Sequence, residues 1–99
     1  MPTTKLTKLL NRAESELIDS CIWYEKQQKG LSKLFRKEIS SVLKGISSNP
    51  YLYNYRYGTD LRFAALNQFP FVLIYWFNEE AGRYDFVASI FHTKRNPEF

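Results

Sequence analysis

The spacing of the apolar residues changes near residue 50, and no other feature of the sequence restricts the fold as much. From Asn11 to Asn49 the apolar residues recur every three or four positions, which predicts amphipathic helices. From Tyr51 onward they alternate with polar residues or form short continuous runs, which predicts strands. Fourteen of the seventeen aromatic residues, which favour strands, lie in this second part. The sequence therefore predicts an α+β fold in which helices come first and a sheet follows.

The first part is predicted to form two helices joined by a short connection. Asn11 is a candidate N-cap, and Glu14 three residues later completes a capping-box-like pair. Gly30 is predicted to end the first helix, and the second is predicted to begin near Ser32 and to end before Pro50. The predicted core positions of the two helices are Ala13, Leu17, Cys21, Tyr24, Leu31, Phe35, Ile39, Val42, Leu43 and Ile46. The short connection makes the pair a helical hairpin.

Four segments of the second part are predicted to be strands. They span residues 51–57, 61–66, 71–77 and 84–92. Near the N-terminus, the stretch from Leu6 to Leu10 could form either a strand or a helical turn. The simplest assembly is a single domain over residues 1–99, in which the N-terminal helical hairpin packs on one face of an antiparallel sheet.

The composition excludes several classes of protein. Cys21 is the only cysteine, which excludes an internal disulfide and suits a reducing compartment. Together with His92 it falls short of the three or four ligands of a usual metal site, and no cofactor is expected. The longest apolar run, residues 69–77, is far shorter than the ~20 residues that span a bilayer, and no signal peptide is visible. We therefore expect a soluble cytoplasmic protein without a membrane partner.

The formal net charge of +4 lies on the predicted helices. Residues 1–48 carry nine lysines and arginines against five acidic residues, whereas residues 49–99 carry five of each. A basic chain rich in tyrosine allows a small RNA-binding module as one interpretation. The near-neutral second part argues against it, because a sheet that follows a phosphate backbone needs an excess of positive charge.

The order and spacing of five segments resemble those of the RelE/ParE superfamily of toxins from bacterial type II toxin–antitoxin pairs. The segments are ESELIDSCIWYEKQQKGLSKLFRKEI (14–39), ISSNPYLY (46–53), DLRFAAL (60–66), FPFVLIYWF (69–77) and FHTKRNP (91–97). The resemblance implies a compact toxin, built as one helical hairpin on a twisted antiparallel sheet. It also implies a co-expressed antitoxin protein that holds the toxin inactive in a hetero-oligomer.

The superfamily has two main activities, and the sequence is more similar to the ParE branch, which inhibits DNA gyrase. RelE-like members cut mRNA in the ribosome, with arginines and lysines on the sheet and often a C-terminal tyrosine or histidine for proton transfer. Where a RelE-like strand carries an arginine, this sequence has Val72, and the aromatic residue near the C-terminus is Phe99, which has no hydroxyl. A gyrase inhibitor without enzymatic activity is therefore favoured. The alternative is a ribosome-dependent mRNA nuclease, whose candidate catalytic residues would be Arg62, His92 and Arg95.

Five residues are candidates for binding the target, whether DNA gyrase or the ribosome with its mRNA, or the antitoxin. They are Arg56, Arg62, Lys94, Arg95 and Phe99. Arg62 could instead pair with a carboxylate such as Asp60 or Asp85. Lys94 and Arg95 could instead form a solvated terminus.

Three further features have both a functional and a structural interpretation. His92 could transfer a proton, because imidazole titrates near neutrality, or it could be a strand-end histidine that bonds a neighbouring backbone group. The alternating tyrosines of residues 51–57 could stack bases with the help of Arg56. Alternatively, half of these rings could pack against the helices while the other half line a protein-binding groove. Cys21 is predicted to lie buried in the core.

Overall fold

The helical hairpin and the sheet predicted from the sequence are both present. The computed structural model describes residues 6–54, 60–79 and 84–94. Its elements are β1 (Leu6–Leu9), α1 (Asn11–Gln27), α2 (Leu31–Ser48), β2 (Arg62–Ala65), β3 (Phe71–Asn78) and β4 (Tyr84–His92). The strands form one sheet in the order β1-β4-β3-β2, and both helices pack on the same face of it. The predicted α+β fold is confirmed.

Strand β1 makes the sheet mixed, whereas the prediction had it wholly antiparallel. The pairs β2–β3 and β3–β4 are antiparallel, but β1 runs parallel to β4, with Leu6 opposite Tyr84 and Leu9 opposite Val87. The N–H of Leu10 then donates to the carbonyl of Val87 at 3.0 Å and extends the pairing by one residue. Parallel pairing is possible here because both helices and two strands separate β1 from β4 along the chain, so no tight turn fixes their direction.

The boundaries of α1 differ from the prediction at both ends. Leu10 is the N-cap, with an extended backbone that continues β1 and no side-chain cap bond. The carbonyl of Leu10 accepts the N–H of Glu14 at 2.9 Å, and the predicted cap by Asn11 is wrong because Asn11 is already the first helical residue. At the other end α1 stops at Gln27, before the predicted Gly30.

Glu25 holds the connection between the two helices. Gly30 directly precedes α2 with a φ of +88°, a conformation that favours glycine. The Glu25 carboxylate accepts hydrogen bonds from the N–H groups of Gly30 (3.0 Å) and Ser32 (3.3 Å) and from the Ser32 hydroxyl (2.7 Å). The bonds from Gly30 and Ser32 lower the pKa of Glu25. They also give the start of α2 the acceptor that a glycine N-cap lacks.

The core lies between the helices and the face of the sheet that they cover. As predicted, α2 buries Phe35, Ile39, Val42 and Ile46. The Phe35 ring lies 5.2 Å from Tyr24 of α1 and 4.9 Å from Phe71 of β3, measured between ring centroids, so aromatic contacts join both helices to the sheet. Four of the predicted core residues are only partly buried against this cluster: Leu17, Cys21, Leu31 and Leu43. Partial burial still raises the pKa of the Cys21 thiol.

The predicted strand over residues 51–57 is wrong in its described part, where the chain forms turns and bends. The side-chain oxygen of Asn49 accepts the N–H of Tyr51 at 3.1 Å, so the backbone finds a local partner instead of a neighbouring strand. The buried hydroxyl of Tyr75 donates to the carbonyl of Pro50 at 2.8 Å and holds this turn against β3. The turn is thus fixed by side chains on both sides.

Glu16 ties α1 to the last part of β4. Its Oε1 accepts the Ser89 hydroxyl at 2.7 Å and the backbone N–H of Ile90 at 3.1 Å. Its other oxygen lies 3.7 Å from Nε of Arg12, one helical turn earlier. Because β1 ends at Leu9, a helix side chain here occupies the place of a strand partner.

Candidate functional site

Arg62 begins β2 and lies against the aromatic end of the sheet. Its Nη1 donates to the carbonyl of Tyr53 at 2.6 Å, and its guanidinium carbon lies 5.4 Å from the ring centroids of both Tyr51 and Phe77. The Tyr51 ring is fixed in turn, because its hydroxyl donates to Glu79 at 2.7 Å. Through this backbone bond and these two cation–ring contacts, Arg62 holds the turn after α2 against the sheet.

His92 ends β4 and is tied to the chain that follows it. The backbone N–H of Lys94 donates to Nδ1 of His92 at 3.1 Å, which is the bond expected of a strand-end histidine. The imidazole packs edge-on against Phe71, with ring centroids 4.9 Å apart and planes at 79°. Because Nδ1 is an acceptor, the neutral ring carries its hydrogen on Nε2.

Arg62 and His92 lie at opposite ends of the sheet. Arg62 is opposite Tyr75 and His92 is opposite Phe71, which places them four residues apart along β3. Four residues of strand span about 13 Å, and the two strand spacings from β2 to β4 add about 10 Å across the sheet. Their Cα atoms are thus roughly 16 Å apart. The Arg62 guanidinium points further away, toward Phe77. The structure does not bring these two predicted site residues together.

A cleft beside His92 brings together residues from α1 and from the ends of β3 and β4. Its volume is about 270 Å³, and it is lined by Asp19, Ser20, Trp23, Tyr24, Phe71, His92 and Lys94. Tyr24 and Phe71 belong to the core, whereas Asp19 and Lys94 are exposed at the surface. The cleft thus combines an aromatic floor with one carboxylate and one ammonium group.

The structure describes two of the five candidate binding residues. Arg62 supports a turn, and Lys94 borders the cleft. The remaining candidates lie outside the described residues: Arg56, Arg95 and Phe99. Sequence reasoning missed the α1 side of the cleft, although Asp19 and Trp23 stand four positions apart and so share a helix face.

The face of the sheet away from the helices is also aromatic. Val72 and Trp76 alternate with the core residues of β3 and so point to this second face. The rings of Trp76 and Phe86 stack across β3 and β4, with centroids 5.1 Å apart and planes at 22°. In the described chain this outer face includes the half-buried Phe63, Val72, Trp76, Phe86 and Phe91 and the buried Ile74.

The described residues form neither a cluster of metal ligands nor a membrane-spanning helix. Within residues 6–54, 60–79 and 84–94, no three histidine, cysteine or acidic side chains are grouped so that they could hold a metal ion. No helix in that part of the chain has the length and apolar character needed to cross a membrane.

Comparison with known proteins gives a match at the level of structure. No protein-family model and no curated protein matches the sequence. A solved chain of the chromosomal ParDE TA system from P. aeruginosa superposes with a TM-score of 0.75, covering 91% of this chain and 97% of that chain, at 14% sequence identity. This chain has a RelE/ParE-like fold. The resemblance that the five sequence segments indicated is confirmed for the fold.

Within the RelE/ParE-like fold, β3 carries Val72, the position at which this sequence departs from the RelE-like pattern. Val72 lies on the outer face, opposite Phe91 of β4, so an apolar pair occupies this position. Beside it, the stacked rings of Trp76 and Phe86 continue the apolar surface. The outer face of this RelE/ParE-like sheet therefore offers packing surface between β3 and β4.

Proposed function

We propose that this protein is the toxin of a type II toxin–antitoxin pair, and that it arrests growth by binding DNA gyrase. The RelE/ParE-like fold supports the first part, because it is shared with a chain of a ParDE TA system. The observation that carries the choice of target is the separation of Arg62 from His92. A cognate antitoxin protein neutralises the toxin in a hetero-oligomer.

Cleavage of RNA without a metal requires several groups at one phosphate. A proton carrier must reach the 2′-hydroxyl or the leaving oxygen while cations neutralise the developing charge. Here the guanidinium of Arg62 is held by the Tyr53 carbonyl and two rings, roughly 16 Å or more from the imidazole of His92. A surface that only binds gyrase needs no such convergence, so it tolerates both this separation and Val72.

The outer face of the sheet supports the antitoxin as partner. Trp76 and Phe86 present stacked, half-buried rings there, and aromatic residues of this kind often dominate protein interfaces. An extended or helical antitoxin segment could bury them by docking its apolar side chains on this face, and strand addition would take place at the edge strands β1 or β2.

The test is controlled expression of the chain, alone and with the product of the adjacent gene. Expressed alone, it is expected to stop growth with DNA damage, and the purified protein is expected to impair supercoiling by gyrase without codon-specific cuts in translated mRNA. Co-expression of the neighbouring product should restore growth. Arg95→Ala should weaken toxicity more than His92→Gln, because binding needs the charge and not the proton.

Two results would contradict the proposal in different ways. Ribosome-dependent mRNA cleavage that disappears with His92→Gln would assign the protein to the nuclease branch. Steeply salt-dependent RNA binding without growth arrest would instead indicate an RNA-binding module.

A further inference from the structure

The cleft beside His92 has charged groups of opposite sign on its two sides. Asp19 stands on α1, and Lys94 follows the end of β4. Both are exposed, and among the described residues neither side chain has a hydrogen bond or an ion pair. Lys94 is also a candidate residue for binding the target or the antitoxin, but the contacts proposed above for the outer face of the sheet do not use this cleft.

The α1 side of the cleft is suited to a cation. Asp19 and Trp23 are four positions apart on one helix, which places their Cβ atoms about 5–6 Å from each other. The Trp23 side chain is 57% exposed, and its ring is braced edge-on by Tyr24 at 5.1 Å and 80°. A guanidinium or ammonium group can therefore pair with the Asp19 carboxylate while it lies on the Trp23 ring.

The β4 side of the cleft is suited to an anion. The Lys94 ammonium offers three donors, and the bond from the Lys94 backbone N–H to Nδ1 of His92 holds the chain at this side of the cleft. Phe71 packs against the imidazole and fixes its orientation. Charge-assisted bonds from such donors suit a carboxylate.

We propose that this cleft binds a peptide segment in which an arginine or lysine is followed by an acidic residue. The cation lies between Asp19 and Trp23, and the carboxylate lies at Lys94. Tyr24 and Phe71 form the apolar floor that packs against the aliphatic part of the basic side chain. The proposal does not depend on the target of the toxin.

The test is a titration of the purified full chain with short capped peptides. The NMR signal of the Trp23 indole N–H monitors binding. The probes are acetyl-Arg-Glu-amide, acetyl-Arg-Gln-amide without the carboxylate, acetyl-Gln-Glu-amide without the cation, and free L-arginine. Acetyl-Arg-Glu-amide is expected to shift the signal saturably and to bind more tightly than the other three.

Two variants assign the charges to their residues. Asp19→Asn should weaken binding of acetyl-Arg-Glu-amide about two- to fivefold, the range expected for one exposed charge pair. Lys94→Gln should weaken the same peptide by a similar factor but leave acetyl-Arg-Gln-amide unchanged. Glu14→Gln, at an exposed position of α1 outside the cleft lining, is the matched control and should change nothing.

Several outcomes would overturn the proposal. One is the absence of a saturable shift at millimolar peptide, and another is equal binding of acetyl-Gln-Glu-amide. An equal effect of Glu14→Gln and Asp19→Asn would show that general charge, not the cleft, attracts the peptide. Binding of free L-arginine as tight as that of the dipeptide would assign the cleft to an amino acid and not to a peptide.

Discussion

Tyr75 joins the sheet to the turn after α2 through its hydroxyl. Its side chain is fully buried, and its hydroxyl donates to the carbonyl of Pro50 at 2.8 Å. Burial raises the pKa of Tyr75 to about 12. A buried phenol is tolerated here because its hydroxyl has the Pro50 carbonyl as acceptor. The same bond gives that buried carbonyl a donor, which the apolar side chains of β3 could not supply.

We expect Tyr75→Phe to lower the free energy of unfolding by about 1–3 kcal/mol at neutral pH, because the Pro50 carbonyl loses its buried donor. Urea unfolding of both proteins measures this difference. Hydrogen exchange should also speed up for the N–H of Leu52, which bonds to Asn49 in the same turn. A variant as stable as the parent protein would show that solvent reaches the Pro50 carbonyl.

The same pair of proteins has a defined pH dependence. Between the ordinary tyrosine pKa of 10.0 and the raised pKa of about 12, the folded protein keeps the Tyr75 proton that the unfolded chain loses. The unfolded chain then binds fewer protons, so the free energy of unfolding of the parent protein falls as pH rises through this window. Tyr75→Phe should lack that part of the fall, and the curves of the two proteins should therefore converge with rising pH.

At the scale of elements, the helical hairpin depends on the carboxylate of Glu25. This side chain accepts three hydrogen bonds from Gly30 and Ser32, and these bonds lower its pKa. They join the last turns of α1 to the first turn of α2, whose glycine N-cap offers no side chain. An exposed side chain therefore links the two helices of the hairpin.

We expect Glu25→Gln to lower stability at neutral pH, because a neutral amide makes weaker bonds to the same donors than a carboxylate does. The pKa of Glu25 is lower in the folded protein than its ordinary value of 4.5, so the unfolded chain binds the proton first as the pH falls. The stabilisation is thus present above about pH 4.5 and is lost below it, as the pH falls through the lowered pKa. Urea unfolding at pH 7 and across pH 5 to 3 should show the two proteins converging in acid.

The elements that could be predicted from the sequence are those whose apolar period reports a buried face. The stripe of α2 is an example, because burial against one core imposes the period, and the short continuous apolar run of β3 likewise predicted a strand. Strand β1 could not be assigned, since its partner Tyr84 lies at the other end of the chain. The tyrosine alternation after Asn49 predicted a strand, but a local side-chain bond at Asn49 satisfies the backbone first.

The candidate site was predictable only where it is local in sequence. The bond between His92 and the backbone of Lys94 spans two residues, and the strand-end interpretation anticipated it. The cleft was not anticipated, because Asp19 and Trp23 come from α1 and meet the end of β4 only after the hairpin has packed. The contacts of Arg62 were missed for a related reason, since they require the turn after α2 to lie against the sheet.

At the scale of the whole molecule, the two faces of the sheet differ in their cover. The helices bury one face, whereas the rings of Trp76 and Phe86 remain half-buried on the other. If the antitoxin covers that outer face, Trp76→Ala should weaken its binding by about 1–2 kcal/mol. Ile18→Ala, which removes an equally apolar side chain that is 52% exposed on α1, is the matched control and should leave the affinity unchanged.

Calorimetric titration of the folded variants with the product of the adjacent gene measures both affinities. A larger loss with Ile18→Ala than with Trp76→Ala would place the antitoxin on the helices instead of the sheet. Growth arrest in the absence of the antitoxin separates a binding defect from misfolding, because under the proposed function a folded Trp76→Ala protein should still stop growth.

The bond between Glu16 and Ile90 has a consequence for how copies of this chain can meet in a crowded solution. Strand β1 pairs with β4 only as far as Val87. The backbone groups of β4 beyond Val87 would otherwise be free to pair with a strand from another chain. Glu16 occupies the Ile90 N–H from within the molecule and places a carboxylate at this part of β4. In the part of the chain that the structure describes, the remaining edge strands of the sheet, β1 and β2, are each four residues long. A foreign strand finds few backbone bonds on edge strands this short, so runaway stacking of copies into fibrils is disfavoured.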